Sequence, residues 1–217
     1  MSDTIKGINC KVEVALTFGS AKLFTAVTKA FPPVATLTAH GIVNGEVGYW
    51  TIGSGMVELA DQAVVANNVA ANTIEMPGLD STDYSTYASD AGNYLTMAAT
   101  WATVAEGAGY AVGGGTGAQL NDTRLLDTKT RNLAGLLAPQ DITVDVRNAK
   151  ISSAGMAYIE RRAMRNLPVL VKISQAGTVL RVGYGTPSLP GENVSSGELA
   201  SGSFSIIVPA FAVKPNV

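Results

Sequence analysis

Residues 8 to 18, INCKVEVALTF, alternate strictly: Ile8, Cys10, Val12, Val14, Leu16 and Phe18 fall on one side, Asn9, Lys11, Glu13 and Thr17 on the other. A period of two is what a strand with one face against a core requires, because successive side chains of an extended chain point to opposite faces. Short runs of the same kind return in TAVTK, VATLTA, EVGYWTI, AVVANNV and NTIEM, punctuated by Gly, Asn or Pro as at Asn44-Gly45 and Gly53-Ser54-Gly55. They return again in NYLTMAATWATV, DITVDVRN, PVLVKIS, TVLRVGYG and GSFSIIVPAFAV. Such runs between turn residues predict sheets joined by tight turns. One segment departs from the pattern. Ser152 or Ser153 can cap a helix in which Met156, Ile159 and Ala163 share an apolar stripe and Glu160, Arg161, Arg162 and Arg165 take the wet side. Asn166-Leu167-Pro168 stops it. The fold expected is mainly β with one flanking helix.

Length sets the scale. A chain of 217 residues can bury a substantial core without covalent help, as one large all-β domain or two small ones. The turn signals mark 22–92 as a compact β-module inserted after the first strand, leaving 1–21 and 93–217 for the larger sheet system. Cys10 is the sole cysteine, so no intrachain disulfide forms, and maturation in a reducing cytosol is expected. MSDTIKGINCK lacks the basic start and apolar run of a signal peptide, and no apolar stretch is long enough to cross a bilayer, so no membrane partner is expected.

Net charge is −2, which argues against a generally basic nucleic-acid binder. That sum hides a segregation. From 30 to 123 there is no Lys or Arg, while Glu46, Glu58, Asp61, Glu75, Asp80, Asp83, Asp90, Glu106 and Asp122 fall there. From 124 to 181 ten cations, Arg124, Lys129, Arg131, Arg147, Lys150, Arg161, Arg162, Arg165, Lys172 and Arg181, face only Asp127, Asp141, Asp145 and Glu160. One block can attract the other on a neighbouring copy, or both can be ordinary solvated surface.

The residues offer little to catalysis. Gly113-Gly114-Gly115-Thr116-Gly117 is similar to the GGGTG signature loop of tubulin-type GTPases, but Asn121-Asp122-Thr123 interrupts any sustained helix after it, and no GxxxxGK[ST] occurs. His40 is the only histidine, which removes most schemes that pair it with Ser or Cys. One Cys and one His cannot build a zinc centre, and the acidic residues lack calcium-loop spacing. Asp80 and Asp83 in Asp-Ser-Thr-Asp suit a self-bonded turn better than a glycosidase pair. No catalytic, cofactor or metal site is therefore expected. Trp50, Tyr49, Tyr84, Tyr87 and Tyr94 can form a stacking platform, though strands favour such residues as packing in any case.

KAFPPVATLTAHGIVNGEVGYW followed by GSGMVELADQAVVANNVAANTIEMPGLDSTDYSTY resembles a β-module common in tail proteins of long-tailed bacteriophages. The resemblance lies in the Pro-Val-Ala-Thr strand, His40-Gly41 with Asn44-Gly45, Gly-Met-x-Glu-Leu at 55–59, and Gly-x-Asp-Ser-Thr at 78–82 before a tyrosine. It departs at Ala60, where Asn is expected, and at Ile74, where an aromatic is usual. The second half resembles the major tail tube proteins of non-contractile, siphovirus-type phages. Here the match rests on the Asp-Thr repeats of LNDTRLLDTKTRNLAGLL, the Gly-Leu shortly before DITVDV, the single helix and the closing GSFSIIVPA.

The resemblance implies a two-sheet β-sandwich or barrel with one flanking helix and the small module inserted, on the outer surface by expectation. It implies hexameric rings stacked into a tail tube in the virion, assembled in the host bacterial cytoplasm, with tape measure, tail terminator and distal tail proteins as partners. Viral DNA passes through such a tube at genome ejection without sequence-specific binding. On that footing Arg124, Asp127, Lys129, Arg131, Arg161, Arg162 and Arg165 are the expected inter-subunit contacts, and the glycine cluster with its Asp-Thr loop is a connector that orders on assembly. A bore poor in Lys and Arg lets DNA slide, so the acidic block or neutral strand faces are expected to line it. The rival reading is a monomeric carbohydrate-binding β-module of a phage tail or fibre, using Trp50 and the tyrosines.

Overall fold

The computed structural model describes residues 10–88, 90–113, 117–121, 132–137, 139–147, 153–193 and 200–208. The first strand, β1 (Cys10–Phe18), is followed by short ones: β2 (Lys22–Leu23), β3 (Ala26–Val27), β4 (Val34–Thr36), β5 (Val47–Thr51), β6 (Ala63–Val65) and β7 (Thr73–Glu75). Then come β8 (Tyr94–Thr103), β9 (Gly107–Val112), β10 (Gly117–Asn121), β11 (Asn132–Leu137) and β12 (Gln140–Arg147). The helix α1 (Ala154–Met164) precedes β13 (Val169–Gln175), β14 (Thr178–Pro187) and β15 (Ser201–Val208). Among the described residues the fold is mainly β with one α-helix, and every strand pairing is antiparallel.

Nine strands form one path, β6-β5-β8-β1-β13-β14-β15-β12-β9, and β2 beside β8 is the tenth strand of the sheet. The two facing layers that the resemblance implies are the halves of this single ladder. β14 pairs with β13 from Thr178 to Gly185, then passes to β15 at Thr186 and Pro187. Val12, Val14, Val169, Val171 and Ile173 on one side of that switch meet Ile142, Val144, Val146, Phe204, Ile206 and Val208 on the other, and Met156 and Ile159 of α1 join them. Gly183 faces the other layer: a Cβ there would stand 2.8 Å from Ile142 Cδ1 and 3.1 Å from Val208 Cγ2, so a larger residue would require these side chains to shift.

Residues 22–92 build a second core around Phe24, Leu37, Trp50, Met56, Leu59, Ile74 and Met76, but Leu95 and Met97 of β8 belong to it too. β8 pairs with β5 over Tyr94 to Met97 and with β1 over Ala98 to Thr103, so one strand serves both bodies. Burial of each large side chain in this core contributes about 1.5–3 kcal/mol, enough to hold the module's short strands. A third cluster joins module to sandwich: Val47, Ala63 and Val65 cover Ala15, Leu170, Val182 and Tyr184 on the outward side of β1, β13 and β14. Tyr49 stacks on Tyr184 with centroids 4.2 Å apart and planes 2° from parallel. Burial, with Tyr49 alongside, holds the Tyr184 phenol above its ordinary range.

Phe18 departs from the strict alternation. The ladder between β1 and β8 slips between Ala15, Thr17 and Phe18, and this bulge turns Phe18 to the outward side, where it meets Tyr49 edge-on at 5.3 Å. The helix follows expectation more closely. Ser153 caps it, its Oγ accepting from Met156 N–H at 3.2 Å. At the other end Asn166 adopts φ +51°, and the N–H groups of Asn166 and Leu167 close on the carbonyls of Ala163 and Arg162. That is a left-handed helix stop made with asparagine.

Candidate assembly surfaces

The described side chains that look chemical are structural in use. His40 is buried, its Nδ1 accepting from Ile42 N–H at 3.0 Å and its Nε2–H donating to Ala70 C=O at 3.0 Å. Both nitrogens are engaged by backbone, so no lone pair is left to act as a base. Hydrogen bonds from Ser85 hold the Glu58 carboxylate below its ordinary range, and those from Thr82 do the same for Asp80. Gly92 N–H does so for Asp90. These carboxylates tie loops. Cys10 borders a cleft of about 320 Å³ with Lys11, Val12, Thr103 and Tyr110, and burial pushes its thiol up, away from a reactive thiolate. Among the described residues no three His, Cys, Asp or Glu side chains are grouped to hold a metal ion. The glycine cluster leads into a strand: Gly113 N–H donates to Asp141 C=O at 2.8 Å and Gly117 opens β10, so no helix N-terminus follows to receive a phosphate.

Glu106 corrects the expectation for the acidic block. It is buried, with Ser153 N–H and Oγ–H donating to its two carboxylate oxygens at 2.5 and 2.6 Å. A carboxylate at the start of α1 also lies at the positive end of the helix dipole. It anchors the helix to the β8–β9 turn and is unavailable to any outer or inner wall.

Of the expected inter-subunit residues, Arg124, Asp127, Lys129 and Arg131 lie outside the described residues. Arg161, Arg162 and Arg165 come together at the end of α1. Arg162 is turned back on its own chain, its guanidinium donating to Pro168 C=O from Nε at 3.0 Å and from Nη2, and lying 5.8 Å over the Tyr158 ring. Arg161 and Arg165 are exposed, with Met164 72% and Leu167 37% exposed beside them.

Two features escaped the sequence reading. β9, GAGYAV, pairs with β12 and with no other described strand, so it ends the long sheet as an uncharged edge. β10 and β11 form a two-stranded ribbon, Leu120 opposite Leu133, that joins no other described strand. The glycine stretch and Asp-Thr loop, expected as a connector, thus begin and end in paired strands. Glycine and alanine hide β9 because they carry almost no strand signal, and the ribbon's alternation is too short to stand out.

The outward face beside that edge has a distinct chemistry. Ser201, Ser203, Ser205 and Ile207 on β15 stand opposite Arg147, Asp145, Thr143 and Asp141 on β12, with Gly109 and Ala111 of β9 next to Asp145 and Thr143. Thr143 Oγ1 donates to Asp141 Oδ2 at 3.0 Å. The surface is mostly small, hydroxylated and acidic, with exposed Ile207 at one end and Arg147 at the other. The outward face of the other layer carries the module instead. A scan against protein-family models finds no match to the chain, and no curated protein is similar to it.

Proposed function

We propose that the protein is a structural virion subunit that assembles head-to-tail into hexameric rings, which stack into the tail tube of a long-tailed, non-contractile bacteriophage. The observation that carries this reading is the pair of strand systems left open among the described residues: the β9 edge and the separate β10–β11 ribbon. Free edges in proteins that act alone are blunted by charge, proline or a covering element, because bare edges pair with whatever strand they meet. β9, β10 and β11 contain no charged residue and no proline. A two-stranded ribbon is also marginal by itself and gains stability from a further strand or face. A neighbouring copy supplies both needs. One closing contact makes a ring, and a second, different contact along the axis makes a filament.

The face of β9, β12 and β15 suits the bore. Each cation that faces a phosphate releases counterions and adds affinity, so a repeated ring of cations would hold DNA still. Seryl, threonyl and aspartyl groups outnumber exposed Arg147 at the end of this face, so little of it would hold DNA during ejection. The module covers the opposite layer and suits the outside of the tube. Tape measure, terminator and distal tail proteins are the further partners this role brings. The carbohydrate-binding rival loses its platform, since Trp50 is buried edge-on against Phe24 at 4.6 Å, Tyr49 is stacked on Tyr184, and Tyr87 Oη–H donates to Phe24 C=O.

Because Gly113 N–H points to β12, antiparallel alternation points the N–H groups of Tyr110 and Val112 away from it, to the open side. Val112→Pro removes one outward donor and keeps the inner ladder. Loss of some core packing at this partly buried site costs about 1 kcal/mol, and the monomer stays folded. The expected result is a folded chain that forms neither rings nor rods, with the wild-type amides of Tyr110 and Val112 slowing in hydrogen exchange only on assembly. Rods formed by Val112→Pro as readily as by the wild type would contradict the role of this edge.

A further inference from the structure

We infer that the turn between β3 and β4 docks on the C-terminal end of α1 in a second copy of the chain. This rests on the proposed self-assembly and names a contact within it. The two surfaces match in both chemistry and sign. In the turn, Phe31 is 56% exposed, an unusual position for a phenylalanine, and exposed Asp80 and Asp83 lie on the loop that Ser81 ties to this turn. At the helix end, Met164 is 72% exposed between exposed Arg161 and Arg165. Acidic groups outnumber Lys29 around the first apolar side chain, and arginines outnumber Glu160 around the second. Such pairing sets orientation and register, while the aromatic and thioether groups supply the contact that excludes water.

The turn is built to hold this arrangement. Ser81 is fully buried between the two loops, its Oγ accepting from Ala30 N–H at 3.1 Å and lying 2.8 Å from Thr28 C=O, while Ser81 N–H donates to Ala30 C=O at 3.1 Å. The chain just before Phe31 and the chain just after Asp80 are therefore tied together before any partner arrives. Lys29, exposed in the same turn, is the smallest of the influences that lower the Glu58 carboxylate. On the helix, the Arg162 guanidinium folds back to Pro168, which leaves Arg161 and Arg165 to frame Met164. Preorganised surfaces lose little side-chain freedom on contact.

The test uses the full chain in sedimentation velocity over a range of concentration and salt. Phe31→Ala, Asp83→Arg and Arg165→Asp alter exposed side chains, and circular dichroism checks that each variant is folded. Each is expected to weaken self-association about tenfold, and the combined Asp83→Arg, Arg165→Asp chain to recover most of the loss, because only a direct contact is restored by exchanging the charges. Association of all three single variants at the wild-type level, or no recovery in the combined chain, overturns the contact. A wild-type chain that stays monomeric overturns it as well. Normal rods from Phe31→Ala would remove this contact and leave the tube reading intact. Phe31-dependent association without rings or rods would keep the contact and remove the tube.

Discussion

Asn93→Ala is expected to destabilise the protein by about 3–5 kcal/mol, the range for stripping several partners from a buried polar network. Asn93 has no exposed surface and uses both ends of its amide. Its Oδ1 accepts from Gly53 N–H at 2.8 Å and Ser54 N–H at 3.3 Å, and its Nδ2 donates to Ala88 C=O at 2.9 Å and Ser54 C=O at 3.3 Å. Alanine leaves four backbone groups to find new partners where there is little room: a Cβ on Gly53 would stand 3.1 Å from Gly92 Cα. The site lies where the module's loops meet the start of β8, so the damage reaches the strand that module and sandwich share. Asn93→Asp separates the two halves of the amide's role. It keeps the acceptor but points a carboxylate oxygen at two carbonyls, so it is expected to be no better than alanine at neutral pH and to recover partly in acid, once protonation supplies a donor. Chemical denaturation at both pH values checks the order. An aspartate variant as stable as the wild type at neutral pH would show that the Nδ2 donors contribute nothing.

Glu106→Ala comes next in size, at about 3 kcal/mol, because hydrogen bonds to a charged group are worth about 1.5–3 kcal/mol each and the helix N-terminus adds to them. Ser153 then loses the acceptor of both its N–H and its hydroxyl, and the cap that holds Met156 N–H loosens with it. For a chain of this length the change corresponds to a fall of about 6–12 °C in melting temperature. Glu106→Gln retains one acceptor and is expected to lose about half as much. Alanine and wild-type proteins melting together would contradict the anchoring role. Since α1 also carries the Arg161–Arg165 surface, the alanine variant should lose assembly at temperatures where the rest of the chain is still folded.

How far the sequence speaks is clearest at particular residues. The alternation of β1 identified Val12 and Val14 as inward, and the Ser153 cap and Asn166-Leu167-Pro168 stop bounded the helix, because one-sided burial and capping leave local marks. What those marks cannot carry is a second covered face. Ala15, Leu170, Val182 and Tyr184 point away from the main core, yet the module buries them, and no local pattern announces a partner that lies tens of residues off in the chain. Phe18 was misplaced for a related reason, since a bulge shifts the side-chain period by one without altering composition. The charge count failed at Glu106 because it registers sign and not surroundings. Among the assembly surfaces, the arginines of α1 were legible as a group, but that Arg162 turns inward while Arg161 and Arg165 stay exposed depends on Pro168 and Tyr158. The β9 edge was silent altogether, for what distinguishes it is that no described strand pairs with its other side.

The central claim is that the open edges of this chain are completed by copies of itself. Cryo-electron microscopy of the concentrated, purified protein tests it most directly. The account predicts hollow rods of stacked six-membered rings, with the serine and aspartate face of β12 and β15 toward the bore and residues 22–92 outside. Single copies at every concentration, or rods whose channel is lined by the module or by the arginines of α1, would contradict it.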